Sequence, residues 1–206
     1  MNFICPICDG KMSSVGQNLI FCGYDNLYEC IDRKEADYNA DYLLHYKLYG
    51  RTTFGKALNK KRWSFVLNNT QTNVLLDFGC GADSFSDLKP NGIKVFSYDP
   101  YFKKDFSFLH ASLDTVTFWD SFEHITRLGI VPLLGAKQIV MSIPIIYDGL
   151  DICSWKHFRP GEHIWYFSQK ALIRLMQKWG YKIINSDDFE SVMGREDIFS
   201  YCFLKS

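Results

Sequence analysis

The sequence has no surplus of charge of either sign, and this limits the partners that it can attract over long distances. Lysine and arginine together number 23, aspartate and glutamate also number 23, and the formal net charge is zero. Proteins that bind nucleic acids through the phosphates usually carry a basic surplus. The composition therefore argues against extended nucleic-acid binding, although it is compatible with a local basic patch.

Long apolar runs are also missing. No uninterrupted apolar stretch reaches the length of a transmembrane helix, and the start, MNFICPICDG, lacks the features of a secretory signal. The seven cysteines are an odd number. We expect a soluble, cytoplasmic protein with reduced thiols and no membrane span. The 206 residues, 47% of them apolar, suffice for one main domain with a small appendage. They do not decide the oligomeric state.

The cysteines that are present cluster near the start, where Cys5 and Cys8 stand two residues apart and precede Asp-Gly. This spacing is typical of a zinc-ribbon knuckle. The second half of the pattern departs from this spacing, because Cys30 lies eight residues beyond Cys22. Two ways of completing the site are open: a longer loop brings Cys30 to the metal, or Asp25 supplies an oxygen ligand. We predict a zinc-ribbon-like segment over residues 1–34 with structural zinc on Cys5, Cys8, Cys22 and Cys30. The alternative is a degenerate ribbon without metal.

Residues 35–206 are predicted to form the main domain, beginning with lid helices over 35–70. Four tyrosines recur there at helical spacing and either pack against the domain or touch a ligand: Tyr38, Tyr42, Tyr46 and Tyr49. Strands are predicted at 73–78, 93–99, 114–120, 137–143, 181–186 and 197–205. A helix fits 168–180, capped by Ser168 and ended by Gly180. The alternation predicts an α/β fold with a mostly parallel sheet and a final hairpin.

The stretch VLLDFGCGADSF, residues 74–85, runs from the first of these strands into Gly79 and Gly81. Ligands bind at the carboxyl ends of strands in such sheets, and glycine lets the backbone approach them closely. Asp99 ends the next strand, where a carboxylate can accept both hydroxyls of a ribose. The third glycine of a dinucleotide fold is missing, because Asp83 stands in the loop.

The D-x-G-x-G pattern at Asp77–Gly81 resembles motif I of the class I S-adenosylmethionine-dependent methyltransferases. Further blocks at 113–125, 135–145, 154–184 and 194–205 resemble, in order, small-molecule methyltransferases related to the ubiquinone-biosynthesis O-methyltransferases. The resemblance covers roughly residues 40–206. It implies a Rossmann-like fold with a seven-stranded-type sheet, shortened near the third strand, a C-terminal antiparallel hairpin, and S-adenosyl-L-methionine as cofactor.

The resemblance also implies a set of cofactor-binding residues at the strand ends. These are Asp77, Gly79, Cys80, Gly81, Asp99, Pro100, Asp105, Asp120 and Ser121. Only fourteen residues separate Asp99 from Asp114, so we expect the usual helix and third strand to be cut. Asp105 is then the nearest candidate for the adenine contact.

Methyl transfer from a sulfonium needs mainly positioning, and a base only when the acceptor must lose a proton. We predict His157, His124 and Asp120 as catalytic residues, with His157 nearest the acceptor. Asp120, Glu123 and His124 also resemble a Glu-x-x-Glu-His set that is associated with a divalent metal. For His124 and His163 the alternative is a structural role. A final set of aromatic residues lines an acceptor pocket or belongs to the core: Trp155, Phe158, Trp165 and Tyr166.

These observations predict a methyltransferase that acts on an oxygen or nitrogen of a small molecule. One alternative is an RNA methyltransferase, because the start also resembles the zinc module of a bacterial ribosomal-RNA guanine methyltransferase. The other is an inactive binding protein that retains the fold.

Overall fold

The computed structural model describes residues 3–16, 18–31 and 38–206, and it begins with a small antiparallel meander. Its strands are β1 (Ser13–Val15), β2 (Leu19–Cys22) and β3 (Leu27–Cys30). Asn26, with φ of 54°, makes the tight turn between β2 and β3, a conformation that asparagine tolerates better than most residues. The predicted boundary between residues 34 and 35 lies outside the described residues.

Two helices follow, α1 (Ala40–Arg51) and α2 (Thr53–Asn69). The sequence predicts a break at Gly50, but the chain breaks at Thr52, whose extended backbone lets its hydroxyl accept a hydrogen bond from the Gly55 amide at 2.9 Å. Gly50 stays helical and lies against Ser84; a Cβ on Gly50 would stand 2.4 Å from the Ser84 Cβ. Glycine at 50 therefore serves close packing.

A parallel sheet forms the centre of the molecule. Its strands are β4 (Val74–Phe78), β5 (Lys94–Tyr98), β6 (Thr115–Trp119) and β7 (Gln138–Ile146), in the order β5-β4-β6-β7. All nine residues of β7 are buried, as expected for a strand covered on both faces. The short helix α3 (Ile130–Leu133) lies between β6 and β7. Between β5 and β6 the chain forms one 3-10 turn, Ser107–His110, and no strand, so the region is shortened as predicted.

The strand β8 (Trp165–Ser168) was not predicted. It pairs in parallel with the end of β7 and antiparallel with β3, so the N-terminal meander continues the main sheet. The helix α4 (Gln169–Lys178) follows directly. Its predicted cap is confirmed, because the Ser168 hydroxyl accepts a hydrogen bond from the Ala171 amide at 3.1 Å. Gly180, with φ of 81°, ends this segment.

The chain closes with β9 (Tyr181–Asp187), the short helix α5 (Phe189–Val192) and β10 (Ile198–Lys205). β9 and β10 form the predicted antiparallel hairpin, and β10 also pairs antiparallel with β7. The α/β architecture with its C-terminal hairpin is therefore confirmed.

One apolar core joins the N-terminal meander to the main sheet. Cys5, Met12 and Ile20 belong to the same buried cluster as Phe167 and Leu172. Burying each large apolar side chain contributes about 1.5–3 kcal/mol, so this shared packing stabilises both parts together. No helix among the described residues is long and apolar enough to cross a membrane.

Candidate functional site

A cavity of about 840 Å³ opens at the carboxyl ends of β4, β5 and β6. The loops that leave these strands form its floor, α1 and α2 cover one side, and residues 157–164 contribute to another. This is the edge at which open α/β sheets bind ligands. Of the predicted cofactor residues, Asp105 is absent from the lining. The others line the cavity: Asp77, Gly79, Cys80, Gly81, Asp99, Pro100, Asp120 and Ser121.

Gly79 brings two of these loops into contact. Its φ is 78°, and a Cβ at this position would lie 2.4 Å from the Ser121 Cβ. The Ser121 hydroxyl donates to the Phe78 carbonyl at 2.8 Å, which holds the end of β6 against the end of β4. The Gly79 and Cys80 amides both donate to the Tyr98 carbonyl of β5. The first glycine is thus required by sterics, and it draws three strand ends together.

Asp99 organises the next loop with a buried carboxylate. Its Oδ2 accepts from the Gly81 amide at 3.0 Å, and its Oδ1 accepts from the Tyr101 and Phe102 amides at 2.9 and 3.0 Å. A carboxylate offers about four acceptor positions. Three amides therefore fix its orientation and leave it able to accept from a ligand hydroxyl in the cavity.

Asp83 occupies the position where the related motif has its third glycine. Its φ is 60°, the left-handed region that aspartate tolerates better than most residues. Its carboxylate pairs with Lys103 at 2.7 Å, and this contact raises the pKa of the lysine. The aspartate thus adopts a left-handed backbone that glycine adopts readily, and it ties the loop after β4 to the loop after β5.

Asp77, the last acidic residue before the glycines, is buried within β4. The Thr117 hydroxyl donates to it at 3.0 Å and the Ser86 hydroxyl at 3.3 Å. Burial nevertheless raises the pKa of this carboxyl to about 7. A positively charged group in the cavity beside it would favour the ionised form.

Asp120 is held by two arginines, which does not support the catalytic role predicted for it. Arg62 Nη2 lies 2.8 Å from Asp120 Oδ2, and both terminal nitrogens of Arg195 lie 3.0 Å from the same carboxylate. Glu190, fully buried, accepts from both arginines. The arginines lower the pKa of Asp120, so it stays ionised and engaged rather than free to take a proton. We call these four residues the ion-pair network.

Glu123, His124 and His163 form a compact cluster in the cavity wall. One ligand atom from each lies within 4.8 Å of the others. Burial raises the pKa of Glu123 to about 8 and lowers that of His163 to about 2. Glu123 Oε2 and His163 Nδ1 have no hydrogen-bond partner among the described residues. Two buried polar atoms without a partner, in side chains whose ligand atoms lie this close together, are compatible with a cation. The three side chains of this cluster include His163 and not the Asp120 that the sequence suggested.

His124 and His157 reach the cavity in different ways. The His124 Nδ1 lies 3.3 Å from the Tyr38 hydroxyl, and burial lowers the pKa of its imidazole. The His157 Nε2 lies 2.9 Å from the Glu196 carbonyl, which can only accept, so this nitrogen donates and Nδ1 is left as an acceptor. Burial lowers the pKa of His157 as well. Both imidazoles are neutral at pH 7.

Aromatic residues line the cavity, but they are not the ones predicted for an acceptor pocket. None of the four residues predicted for that pocket appears among the described lining residues. Trp155, Trp165 and Tyr166 are buried in the core, and the fourth is Phe158. The four predicted tyrosines do line the cavity: Tyr38, which precedes α1, and Tyr42, Tyr46 and Tyr49 within it. Two aromatic residues that the sequence did not indicate, Tyr101 and Phe102, line the cavity as well. Tyr38 stacks on Tyr101 with ring centroids 4.2 Å apart. The ligand-contact interpretation of the tyrosines therefore fits the geometry.

Asp105 does not reach the cavity, and its predicted adenine contact is corrected. Its side chain is exposed, and Oδ1 accepts from the Ser107 amide at 2.9 Å to start the 3-10 turn. The short loop has no strand that would turn this carboxylate inward.

A second cluster lies in the N-terminal meander. Ligand atoms of Cys5, Cys8, Cys22 and Asp25 all lie within 4.8 Å of one another, and we call these residues the cysteine cluster. The predicted Cys30 is not among them. It lies at the opposite end of the β2–β3 hairpin from Cys22, about 10 Å along the strand, and packs in a separate apolar cluster. Asp25 takes its place.

No protein-family model and no curated protein matches the sequence. Solved structures share its fold. A SAM-dependent methyltransferase from Archaeoglobus fulgidus aligns with a TM-score of 0.54 and 16% identity over 80% of this chain and 100% of its own. Magnesium protoporphyrin IX methyltransferase (ChlM) from Synechocystis PCC 6803, with bound SAH, gives 0.52 and 16% over 83% and 90%. The small RNA methyltransferase HEN1 gives 0.50 and 17% over 74% and 25%.

At such identities the similarity shows a Rossmann-like, methyltransferase-like α/β fold. The names of the matched proteins include a porphyrin and a small RNA. The fold therefore does not decide the acceptor.

Proposed function

We propose that this chain binds S-adenosyl-L-methionine in the cavity and transfers its methyl group to an oxygen or nitrogen of a small-molecule acceptor. The observation that carries the proposal is the joining of three strand ends by Gly79, Ser121 and Asp99. This arrangement places a fixed carboxylate and a close-approaching glycine loop at the edge of the sheet where nucleotides bind.

Each end of the cofactor has a matching group. Asp99, with one acceptor position left beyond its three amide donors, accepts from a ribose hydroxyl, and Pro100 lies beside it. Asp77 and the backbone at Gly79 face the amino-acid end, where the cationic amine favours the ionised form of the buried Asp77 carboxyl. Tyr101, from the loop after β5, supplies aromatic surface for the base in place of the missing third-strand acid.

The transfer is an in-line displacement. S-adenosyl-L-methionine, held by Asp77, Asp99 and the loop at Gly79, would supply an electrophilic methyl group on sulfur and would leave as a neutral thioether when an acceptor lone pair takes that methyl group. An acceptor O–H or N–H loses its proton to a base or to water. His157, with Nδ1 unprotonated, and His124 are two of the imidazoles that line the cavity and could take this proton. The aromatic side chains that line the cavity, among them Tyr38, Tyr42 and Tyr101, would limit the access of water to a bound sulfonium.

A divalent cation would fit the cluster of Glu123, His124 and His163, because their ligand atoms lie within 4.8 Å of one another and two of these side chains have a buried polar atom without a partner among the described residues. Such an ion would polarise an acceptor hydroxyl and lower its pKa. With the cation bound by His124, the proton acceptor is His157.

The N-terminal meander is proposed to hold structural zinc. Cys5, Cys8 and Cys22 supply three sulfur ligands, the donors that zinc favours in structural sites. All seven cysteines are free thiols in the structure. A cytoplasmic location stays a prediction.

Calorimetric titration with S-adenosylmethionine and S-adenosylhomocysteine tests the cofactor proposal. We expect micromolar affinity, about −8 kcal/mol, for the wild-type protein and no detectable binding for Asp99→Ala. Asp105→Ala is the matched control, because that carboxylate is exposed and outside the cavity; it should bind normally. Absence of binding to folded wild-type protein would contradict the proposal and favour the inactive alternative.

A second titration, with ribosomal RNA, separates the two active alternatives. A small-molecule enzyme should bind the cofactor and show only weak, salt-sensitive RNA binding, in keeping with its zero net charge. Tight RNA binding that persists at physiological salt would instead favour the RNA methyltransferase.

A further inference from the structure

We infer that Asp25 is the fourth ligand of the N-terminal zinc ion, and that the resulting Cys₃Asp site positions the Glu123–His163 wall of the cavity through β3. The inference rests on the zinc proposal above and adds a ligand, a partner for that ligand and a role for the site.

The first step concerns Asp25 as a ligand. The residue is fully buried, and its Oδ2 lies 3.3 Å from the Cys5 sulfur and 3.6 Å from the Cys22 sulfur. The Cys8 sulfur lies 3.7 Å from that of Cys22. Once the thiols ionise, three thiolates and a carboxylate repel one another at these distances, and a cation at their centre would offset that repulsion. Three thiolates and one carboxylate oxygen complete a tetrahedral zinc site.

Arg174 of α4 fixes the orientation of this carboxylate. Its Nε lies 2.8 Å from Asp25 Oδ1, the oxygen that faces away from the sulfurs. The guanidinium also packs over the Tyr24 ring, with 4.6 Å between its central carbon and the ring centroid. The arginine thus forms an ion pair with one oxygen, without hydrogen-bond geometry between Nε and Oδ1, while the other oxygen faces the sulfurs and is the one available to a metal.

The cysteine cluster is also attached to the start of α4. The Asp25 carbonyl accepts from the Ser168 hydroxyl at 3.1 Å, and the Asn26 carbonyl accepts from the Ser168 amide at 3.2 Å. At the other end of the helix, Lys178 pairs with Asp9 at 2.9 Å. Metal binding by Asp25 therefore orders a segment that contacts the helix at both ends.

A path of backbone hydrogen bonds leads from this segment to the cavity. β3 pairs with β8, and the Cys30 amide donates to the Ile164 carbonyl at 2.7 Å. The Ile164 amide in turn donates to the Glu123 carbonyl at 2.9 Å. His163 immediately precedes Ile164 in the chain. The zinc-ordered hairpin thus holds the two segments that carry Glu123 and His163.

Metal content and cobalt spectra of purified full-length variants test the ligand set. Wild type should hold one zinc, and its Co²⁺ form should show sulfur-to-metal charge transfer from three thiolates. Cys22→Ser should lower that intensity by about one third, and Cys30→Ala should leave it unchanged. Asp25→Ala should weaken zinc binding at least tenfold, whereas Asp25→Cys should retain zinc and raise the intensity by about one third.

The alternatives give different results in the same experiment. Unchanged zinc affinity in Asp25→Ala, together with a loss of charge transfer in Cys30→Ala, would overturn the Asp25 assignment while leaving zinc in place. Absence of metal from wild type, with zinc added during purification, would overturn both the zinc proposal and this inference. Cofactor titration of the same samples reports on methyl-donor binding independently.

Hydrogen exchange tests the positioning role. In Asp25→Ala the amides of Cys30 and Ile164 should exchange at least tenfold faster than in wild type, whereas those of β6 should be unchanged. Asp25→Cys should restore wild-type protection, which separates metal binding from simple loss of a side chain. Equal protection of the Ile164 amide in the zinc-free and zinc-bound proteins would overturn the role.

Discussion

Single residues at the sheet edge show why the site needs particular side chains. Gly79 and Asp83 both have positive φ, yet only Gly79 is also in steric contact, with Ser121. Asp83 could replace glycine because its side chain points to Lys103. Position 83 thus requires only a left-handed backbone conformation, whereas position 79 also requires the absence of a side chain.

Gly79→Ala should therefore lower the unfolding free energy more than a substitution that strains the backbone alone. Its Cβ would lie 2.4 Å from the Ser121 Cβ, whereas a Cβ at Gly92, also at positive φ, meets nothing within 4 Å. We expect Gly92→Ala to cost about 1 kcal/mol of unfolding free energy and Gly79→Ala about 3 kcal/mol, with loss of cofactor binding. Urea denaturation and calorimetry measure both, and equal costs would contradict the steric account.

Asp77 makes cofactor affinity depend on pH. In the free protein its pKa is raised to about 7, so the carboxyl is protonated below that pH and ionised above it. A cationic amine binds the ionised form, so affinity for S-adenosylhomocysteine should fall roughly fivefold between pH 7 and pH 6. Asp77→Asn should bind weakly and lose this pH dependence. A flat profile in wild type would show that the amine lies elsewhere.

At the scale of elements, all six predicted strands of the main domain are present because each is a short apolar run bounded by turn residues. β8 was missed because residues 165–168 precede a helix without a break, and its partner β3 lies more than a hundred residues away. Pairing at such distances is not encoded in local periodicity.

The strand-end residues of the site were predictable for the same reason, since they follow apolar runs. The ion-pair network was not, because Arg62, Glu190 and Arg195 look like ordinary surface charges in their own segments. Only the fold brings α2, α5 and the loop before β10 to one place. Asp120, predicted as catalytic, was therefore assigned without knowledge of its partners.

The ion-pair network should make Glu190 costly to remove. Its carboxylate is fully buried, and it accepts from Arg62, Arg195 and the Ser142 hydroxyl. Glu190→Ala would leave buried guanidinium groups without this partner, and we expect a loss of about 3–5 kcal/mol in unfolding free energy.

The control for this variant is Glu196→Ala. Glu196 pairs with Lys156 on the surface and is 76% exposed, so its removal should change unfolding free energy by less than about 1 kcal/mol. Similar losses in the two variants would indicate that the ion-pair network contributes little to stability.

At the scale of the whole molecule, the N-terminal meander and the main domain share one sheet and one core. The sequence predicts a zinc-ribbon-like segment over residues 1–34, from the cluster of cysteines near the start, and a main domain over 35–206. Composition does not reveal that β3 extends the main sheet or that Met12 and Ile20 pack with β8 and α4. Because the interface is apolar and continuous, we propose that the two parts unfold as one cooperative unit.

A core substitution in the meander tests this cooperativity. All five tryptophans lie between residues 63 and 179, within the main domain; four of them report on that domain alone, and Trp165 of β8 also lies beside β3. Met12 is 2% exposed, and Met12→Ala should lower the unfolding free energy reported by tryptophan by about 2–4 kcal/mol. Val15, exposed in β1, provides the control Val15→Ala, which should change little. Because the two parts share a core, circular dichroism and fluorescence should give one coincident urea transition. An unchanged fluorescence midpoint in Met12→Ala would mean that the meander unfolds independently.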